Sequence, residues 1–497
     1  MLLGKLVHVF NFPVAELVRS VWTMMLPQRF ISRLVRYFRS LRASKLFRSA
    51  LEPYLLLCHL ISNVLYWRQH WTHEVSINKS VLVEEGTCPD KDPGLHEGWT
   101  PKDFSNPNYE RISESELIEE ETLPGYQAEW YYPVRIGEII ASRYQIIGKL
   151  GFGRTSTVWL ARDLNGCRHV CLKICILSSV SESYNSQEIA AYERLEHGPE
   201  NHPGRRGIRA LLDHFVIAGP DGEHRCFVHP PLWGNIANFL RLDPDVDRLF
   251  PPILAFVLKQ LFLTLDYARE CEVIHTDISP SNVMFTIKDP TALEMFEKAE
   301  LEYPSPRKEM NGRFIYLSHA IGDQDKAECF PVLCDFGHAV WGGEKHSSAA
   351  QPDLYRSPEV TLQVPWSYEI DVWSVACLIW DVFEGTHLFD GTDGECDAIY
   401  RSHVHLAEMI AYMGPPPHEF IAQGSVGSKF FSPEGELVAG VEARPPTSLD
   451  SVETTLKVWA KDDKERDLFL RLMGKMLEWD PESRQTPKQL LEDKWIR

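Results

Sequence analysis

From Tyr144 onward the apolar positions fall into short runs. Tyr144–Leu150, Val158–Arg162 and Arg168–Ile176 are rich in β-branched and aromatic residues and are separated by turn residues, which predicts successive strands. The rhythm then lengthens. Ser181–His197 sets Ile189, Tyr192 and Leu195 on one face, and Ile253–Ala268 repeats Leu, Phe and Val at three- and four-residue intervals, so both read as helices. Val283–Phe285 is a short strand candidate, and a further apolar strand begins at Val332. Ile370–Phe383 is apolar on nearly every face, as befits a helix buried at the centre of a domain. Leu468–Leu477 and Pro487–Trp495 read as closing amphipathic helices.

Upstream the pattern is of another kind. Arg29, Arg33, Arg36, Arg39, Arg42 and Arg48 interleave with Phe30, Ile31, Leu34, Val35, Phe38 and Leu41 near the helical period. A basic amphipathic helix of this sort reads as an organelle transit segment or a membrane-surface anchor; the alternatives are an accessory helix on the folded domain or a poorly ordered extension. Pro53–Trp67 is apolar but holds His59, Ser62 and Asn63, and it is shorter than the ~20 residues of a membrane-spanning helix, so no such span is expected. The chain therefore divides into an N-terminal extension (1–77), an acidic linker with Pro and Gly expected to be mobile (78–130), and a folded domain (131–497). Within the linker, Ser113 and Glu116 have the spacing of a helix cap. Asp289–Phe330 is polar and broken by Pro290, Pro304, Pro306 and Gly312, and is expected to be an insertion (about 289–330) rather than core.

Charge sharpens this division. Residues 1–75 carry ten Lys/Arg against three Asp/Glu, a balance of +7, which leaves −26 on the rest of a chain whose total is −19. An acidic body excludes direct nucleic-acid binding, which needs a basic footprint. It suits a basic peptide partner, or simply solubility. The eleven cysteines are scattered without a C-x-x-C pair, which argues against a disulfide framework or a zinc site and for a reducing compartment.

The chemistry gathers in a few stretches. Gly151-Phe152-Gly153-Arg154-Thr155-Ser156-Thr157-Val158, preceded by Leu150, is a glycine-rich turn between strands whose backbone can fold over a polyphosphate. Lys173 follows on the third strand, where an ammonium can hold phosphates, and Glu188 on the next helix is the carboxylate chosen to fix it. Cys226–Gly234 contains Pro230 and Pro231, which lack an N–H. Between helix and strand sits His275-Thr276-Asp277, with Asn282 five residues after the Asp. Asp335-Phe336-Gly337 ends a strand, and Ser357-Pro358-Glu359 and Arg484 come later.

In this order the motifs resemble those of a eukaryotic protein kinase, and more closely the SR-protein kinase group in a short fungal-type form. The likeness covers Tyr131–Arg497. It rests on Tyr131–Glu138 with the glycine-rich turn, on I-H-T-D-I with Thr276 where most kinases have Arg, on the insertion before Asp-Phe-Gly, and on His405–Pro417 and Lys429–Leu437. It implies an α+β bilobal fold, with a small β-rich lobe over about 144–232 and a larger helical lobe over about 233–497. It also implies ATP and Mg²⁺ as cofactors, and transfer of the γ-phosphoryl group to Ser in Arg/Ser-rich proteins. Asp277 would accept the hydroxyl proton, Lys173 and Glu188 form the phosphate-holding pair, and Asn282 and Asp335 ligate the metal. Leu150–Val158 would cover the nucleotide, with Pro230 as carbonyl acceptor and Leu232 as N–H donor to adenine. Asp371 would accept catalytic-loop amides, and Glu359 would pair with Arg484. Without an Arg at Thr276, activity should not wait on activation-loop phosphorylation.

The likeness fails in two places. Ser279 stands where such kinases place Lys, which leaves a pseudokinase scaffold as the alternative, and Arg154 is the one nearby cation that could replace it. The insertion is short, about 25–40 residues. A small-molecule kinase is disfavoured by Ser357-Pro358-Glu359 and the segment after it. The expected enzyme is a monomer in cytoplasm or nucleus, with a mitochondrial or membrane address as the option raised by residues 1–75.

Overall fold

A computed structural model describes residues 98–241, 248–322, 329–392, 399–438, 447, 449–453 and 463–497. The expectations for the N-terminal extension lie outside these residues. Strands β1 (Ile139–Ile140), β2 (Tyr144–Phe152), β3 (Ser156–Asp163), β4 (Arg168–Leu177), β5 (Asp213–Ala218) and β6 (Glu223–His229) form an antiparallel six-stranded sheet in the order β1-β2-β3-β4-β6-β5. Helix α1 (Ser178–Glu196) crosses between β4 and β5. Its buried residues Ser181, Asn185, Glu188, Ala191, Tyr192 and Leu195 recur at helical spacing, so a carboxylate shares the face that packs inward.

The rest of the domain is mainly helical. Helix α2 (Pro251–Glu270) starts on two prolines, which suit the first turn because its N–H groups have no partner there. Short strands β7 (Leu232–Asn235), β8 (Val273–Ile274), β9 (Val283–Thr286), β12 (Pro331–Leu333) and β13 (Val340–Trp341) carry the loops that line the cleft. They pair as β12-β9-β7 and β13-β8. The central helix α4 (Glu369–Glu384) is buried at all but two of its positions, and Gly385 ends it in a left-handed cap at φ 73°. Of the two expected closing helices, Asp463–Met476 forms in full, but the second is a single turn, Pro487–Leu490.

Two stretches depart from expectation. The supposed insertion is structured: helix α3 (Thr291–Glu302) and the hairpin β10 (Arg307–Met310)–β11 (Arg313–Tyr316) bury Ala292, Leu293, Ile315 and Tyr316. The linker, over residues 98–130, is a strap across the sheet and that hairpin rather than a mobile tether. Phe104 and Ile118 are buried, and Gln145 exchanges hydrogen bonds with the Lys102 main chain at 2.9 and 2.7 Å. Lys149, 1% exposed, pairs with Glu120 and, at 3.3 Å, with Glu119. Lys308, also 1% exposed, pairs with Glu121 at 2.6 Å. The capping pattern at Ser113 and Glu116 gives a turn, and the acidic run forms one 3₁₀ turn, Glu119–Thr122. These carboxylates look like solvating charge in sequence because their partners are far along the chain.

Candidate active site

Side chains alternate along β4, so Cys171, Lys173 and Cys175 share one face of the sheet. Lys173 Nζ donates to both Glu188 carboxylate oxygens at 3.0 and 2.9 Å, and to Asp335 Oδ1 at 3.0 Å. Lys173 and Glu188 are 8% and 3% exposed, whereas the Asp335 side chain keeps 42%, so the triad opens into the cleft at Asp335. Burial disfavours the Lys173 ammonium, yet the Asp335 and Glu188 carboxylates outweigh it and hold its pKa well above the ordinary value. The same ammonium holds the Asp335 carboxyl far below the usual carboxylate range, against desolvation. Phe336, fully buried, packs edge-on to His275 at 4.8 Å and to Tyr192 at 5.4 Å, which fixes Asp335 between α1 and the catalytic loop.

The catalytic loop joins β8 to β9 and is held from below by α4. Asp371 accepts from the main-chain N–H groups of His275 at 2.7 Å and Thr276 at 2.8 Å. These bonds stabilise Thr276 at φ 68°, a conformation that β-branched residues rarely adopt. Its hydroxyl donates to the His338 carbonyl at 2.9 Å and so ties the loop to the segment after Asp335. Asn282 Nδ2 donates to the Asp277 carbonyl at 2.8 Å and to Asp277 Oδ2 at 2.9 Å. The Asn282 carbonyl accepts from Cys334 N at 2.8 Å, which brings Asp277 and Asp335 to one cleft. Burial raises the Asp277 carboxyl above its ordinary pKa and nearby Asp335 adds to the shift, while His275, His338 and Asn282 oppose it. The Ser279 hydroxyl meets that of Ser281 at 2.8 Å and the Ser279 carbonyl accepts from Asn282 N at 3.0 Å, while Arg154 lies at the exposed tip of the glycine-rich turn.

Leu150–Val158 form the end of β2, the turn and the start of β3. Gly153 N donates to Ser156 O at 2.8 Å, and Ile176 N to Thr155 O at 2.9 Å. Thr157 Oγ1 accepts from Trp159 Nε1 at 2.9 Å, and Val158 lies opposite Lys173 on β4. Ser156 pairs with Cys175 without a left-handed backbone, so a third glycine is not needed there. Leu150 packs on the main core, and Phe152 and Arg154 are exposed. The strap reaches this turn as well: Tyr131 Oη lies 3.2 Å from the Gly153 carbonyl and 3.1 Å from that of Arg154. Tyr131→Phe frees the tip, and the nucleotide KM should rise severalfold with kcat little changed; steady-state kinetics check this, and an unchanged KM contradicts it. At the far wall, Leu232 packs with Val332 and Cys334, and the Pro230 carbonyl accepts from Arg209 Nη2 at 3.3 Å. No motif in the sequence places Arg209 here. Its only signal is an Arg standing inside the run Ile208-Arg209-Ala210-Leu211-Leu212.

The protein kinase domain profile matches residues 144–496. The chain belongs to the protein kinase family. A serine/threonine protein kinase of Aspergillus fumigatus is 38% identical over 394 residues, which cover 78% of this kinase and 93% of that relative. The serine/threonine-protein kinase SRPK of Physarum polycephalum is 31% identical over 76% and 91% of the two chains. Protein kinase dsk1 of Schizosaccharomyces pombe is 27% identical over 64% and 74%. This kinase is therefore a protein serine/threonine kinase with SRPK-type relatives. The five residues Lys173, Glu188, Asp277, Asn282 and Asp335 meet in the cleft between its sheet and its helices. Glu359 and Arg484 also meet, in a pair buried completely on both sides.

Proposed function

We propose that this kinase transfers the γ-phosphoryl group of ATP to serines in Arg/Ser-rich proteins, and does so without activation-loop phosphorylation. The observation that carries the chemistry is the Lys173–Glu188–Asp335 triad beside Asp277. Asp277 accepts the proton of the substrate hydroxyl as the serine oxygen bonds to the γ-phosphorus; the bond from that phosphorus to the bridging oxygen breaks, and its electron pair leaves on ADP. The raised Asp277 pKa favours that uptake. Lys173, fixed by Glu188, steadies the nucleotide phosphates. Asn282 spends its amide N–H groups on Asp277, which leaves its amide oxygen, together with the Asp335 carboxylate, as hard oxygen donors suited to Mg²⁺. That ion would neutralise charge on the phosphates.

Independence from phosphorylation is supported by the Thr276 hydroxyl, which links catalytic loop and activation segment without any charge to neutralise. The segment also holds itself: Arg356 pairs with Asp353 at 2.7 Å and donates to the Gln351 carbonyl at 3.3 Å. The choice of a basic substrate is supported by the acidic body and by the SRPK-named relative. Unphosphorylated protein should phosphorylate an Arg-Ser repeat peptide at least tenfold faster than a charge-neutral serine peptide. Equal rates remove the substrate class. Label transfer no greater than that of Asp277→Ala removes the activity and leaves the pseudokinase that Ser279 suggests.

A further inference from the structure

The catalytic loop brings no cation to the phosphoryl group that is transferred. From Asp277 to Asn282 the chain holds neither Lys nor Arg, and the Ser279 and Ser281 hydroxyls close on each other at 2.8 Å. Lys173 is fixed deeper in the cleft by Glu188 and Asp335. The roof is built differently. Val158 stands opposite Lys173 and Trp159 opposite Lys149, so the sheet turns one face to the cleft and the other to the strap. Tyr131, at the end of the strap, lays its hydroxyl 3.2 Å from the Gly153 carbonyl and 3.1 Å from that of Arg154. In a trans peptide the N–H points opposite to the C=O. The two carbonyls that face the strap therefore turn the N–H groups of Arg154 and Thr155 toward the cleft. Among the described residues neither N–H has a hydrogen-bond partner.

The Arg154 side chain is exposed, and among the described residues no carboxylate pairs with it; the strap carboxylates Glu119, Glu120 and Glu121 are held by Lys149 and Lys308. Its backbone root, by contrast, is fixed from two sides, by Gly153 N donating to Ser156 O at 2.8 Å and by the Tyr131 hydroxyl. A rooted tip with a free guanidinium can take its position from a ligand on the amide edge of the turn. This step rests on the transfer reading above, in which a nucleotide under the turn presents its terminal phosphoryl group to those two N–H groups. We propose that Arg154 supplies, from the glycine-rich turn, the positive charge on the γ-phosphoryl group that the catalytic loop lacks at Ser279. The planar fork matches two phosphoryl oxygens with parallel N–H bonds and is always charged. It gives up no proton. Asp277 takes the serine proton, the serine oxygen bonds to phosphorus, and the bridging oxygen leaves on ADP with its electron pair. The guanidinium holds the equatorial oxygens while charge spreads over them.

The test is label transfer from Mg·ATP to the Arg-Ser peptide, with calorimetry of the full chain against Mg·ADP and the Mg complex of a β,γ-imido analogue of ATP. Arg154→Met should lower kcat by roughly 10²–10³, the usual worth of one contact to developing charge. Its affinity for ADP should stay within about twofold of wild type, while that for the analogue falls severalfold further, since only the analogue carries a γ-phosphoryl group. Ser279→Lys should raise the rate of Arg154→Met by roughly tenfold or more, and that of the wild type by much less, because the cation then enters from the catalytic loop. A loss below about tenfold in Arg154→Met, or a Ser279→Lys gain equal in both backgrounds, overturns the proposal. Should Ser279→Lys fail to fold, the single Arg154→Met variant and the affinity ratio decide. Failure of the transfer reading looks different. Wild-type transfer no greater than that of Asp277→Ala removes the kinase activity, and calorimetry then decides on Arg154: a severalfold fall in the analogue-to-ADP ratio sustains the γ-phosphoryl contact, and no fall ends it. Transfer that survives Arg154→Met at full rate keeps the kinase and removes the role of Arg154.

Discussion

Asp277→Asn should lower kcat for peptide phosphorylation by roughly 10²–10⁴, the range supplied by a positioned general base, while nucleotide affinity stays within about twofold. The substitution preserves shape and an acceptor for the Asn282 amide, which bonds Asp277 Oδ2 at 2.9 Å. It removes only the capacity to take up a proton. Initial rates of label transfer, with binding measured separately, check this; a loss below tenfold means that Asp277 is not the base. The pH profile carries an independent reading. Transfer requires the carboxylate form, and burial raises the Asp277 pKa in this cleft. Activity should therefore climb with pH along an acid limb centred above the ordinary aspartate value, and a limb at or below that value contradicts the assignment.

Arg484→Met should cost about 3–5 kcal/mol, because it leaves the Glu359 carboxylate buried without its counter-ion. Arg484 Nη2 donates to Glu359 Oε2 at 2.7 Å, and both side chains are 0% exposed. The guanidinium also donates to the Glu478 carbonyl at 3.0 and 2.9 Å and stacks over Trp373 at 4.9 Å, and the pair has no face open to bulk solvent. The cost should appear as a fall in Tm of roughly 4–7 °C. Adding Glu359→Gln should recover part of it, since a neutral amide tolerates the dry site better than a lone carboxylate. A double variant as unstable as the sum of the two single ones would mean that the pair is not coupled.

The parts of the site legible in sequence are those whose geometry is set by neighbours in the chain. Asp277 and Asn282 sit on one tight loop, and the position of Lys173 on β4 follows from strand alternation, so spacing alone places them. Glu188 could be picked from its helix because it falls on the same stripe as Tyr192 and Leu195. Long-range registers left no such trace. Arg209 reaches the cleft because Ile208 pairs with Leu333, more than a hundred residues away, and nothing in Ile208–Leu212 announces that partner. Residues 98–130 misled for a related reason. Their ordering comes from Lys149 and Lys308, whereas a composition rich in Glu and Pro taken alone reads as a tether. Asp289–Phe330 likewise hides its apolar contacts in short pieces: Leu293 on a helix, Ile315 and Tyr316 on a hairpin.

The strap also sets where this protein can be cut. A fragment beginning at Tyr144, where the family match starts, would leave the ammonium groups of Lys149 and Lys308 without Glu119, Glu120 and Glu121, the carboxylates that pair with them, and would uncover the face the strap buries. The smallest piece able to fold alone is thus longer at its front than its motifs suggest, and the phosphate-covering turn would lose its Tyr131 clasp in the same stroke.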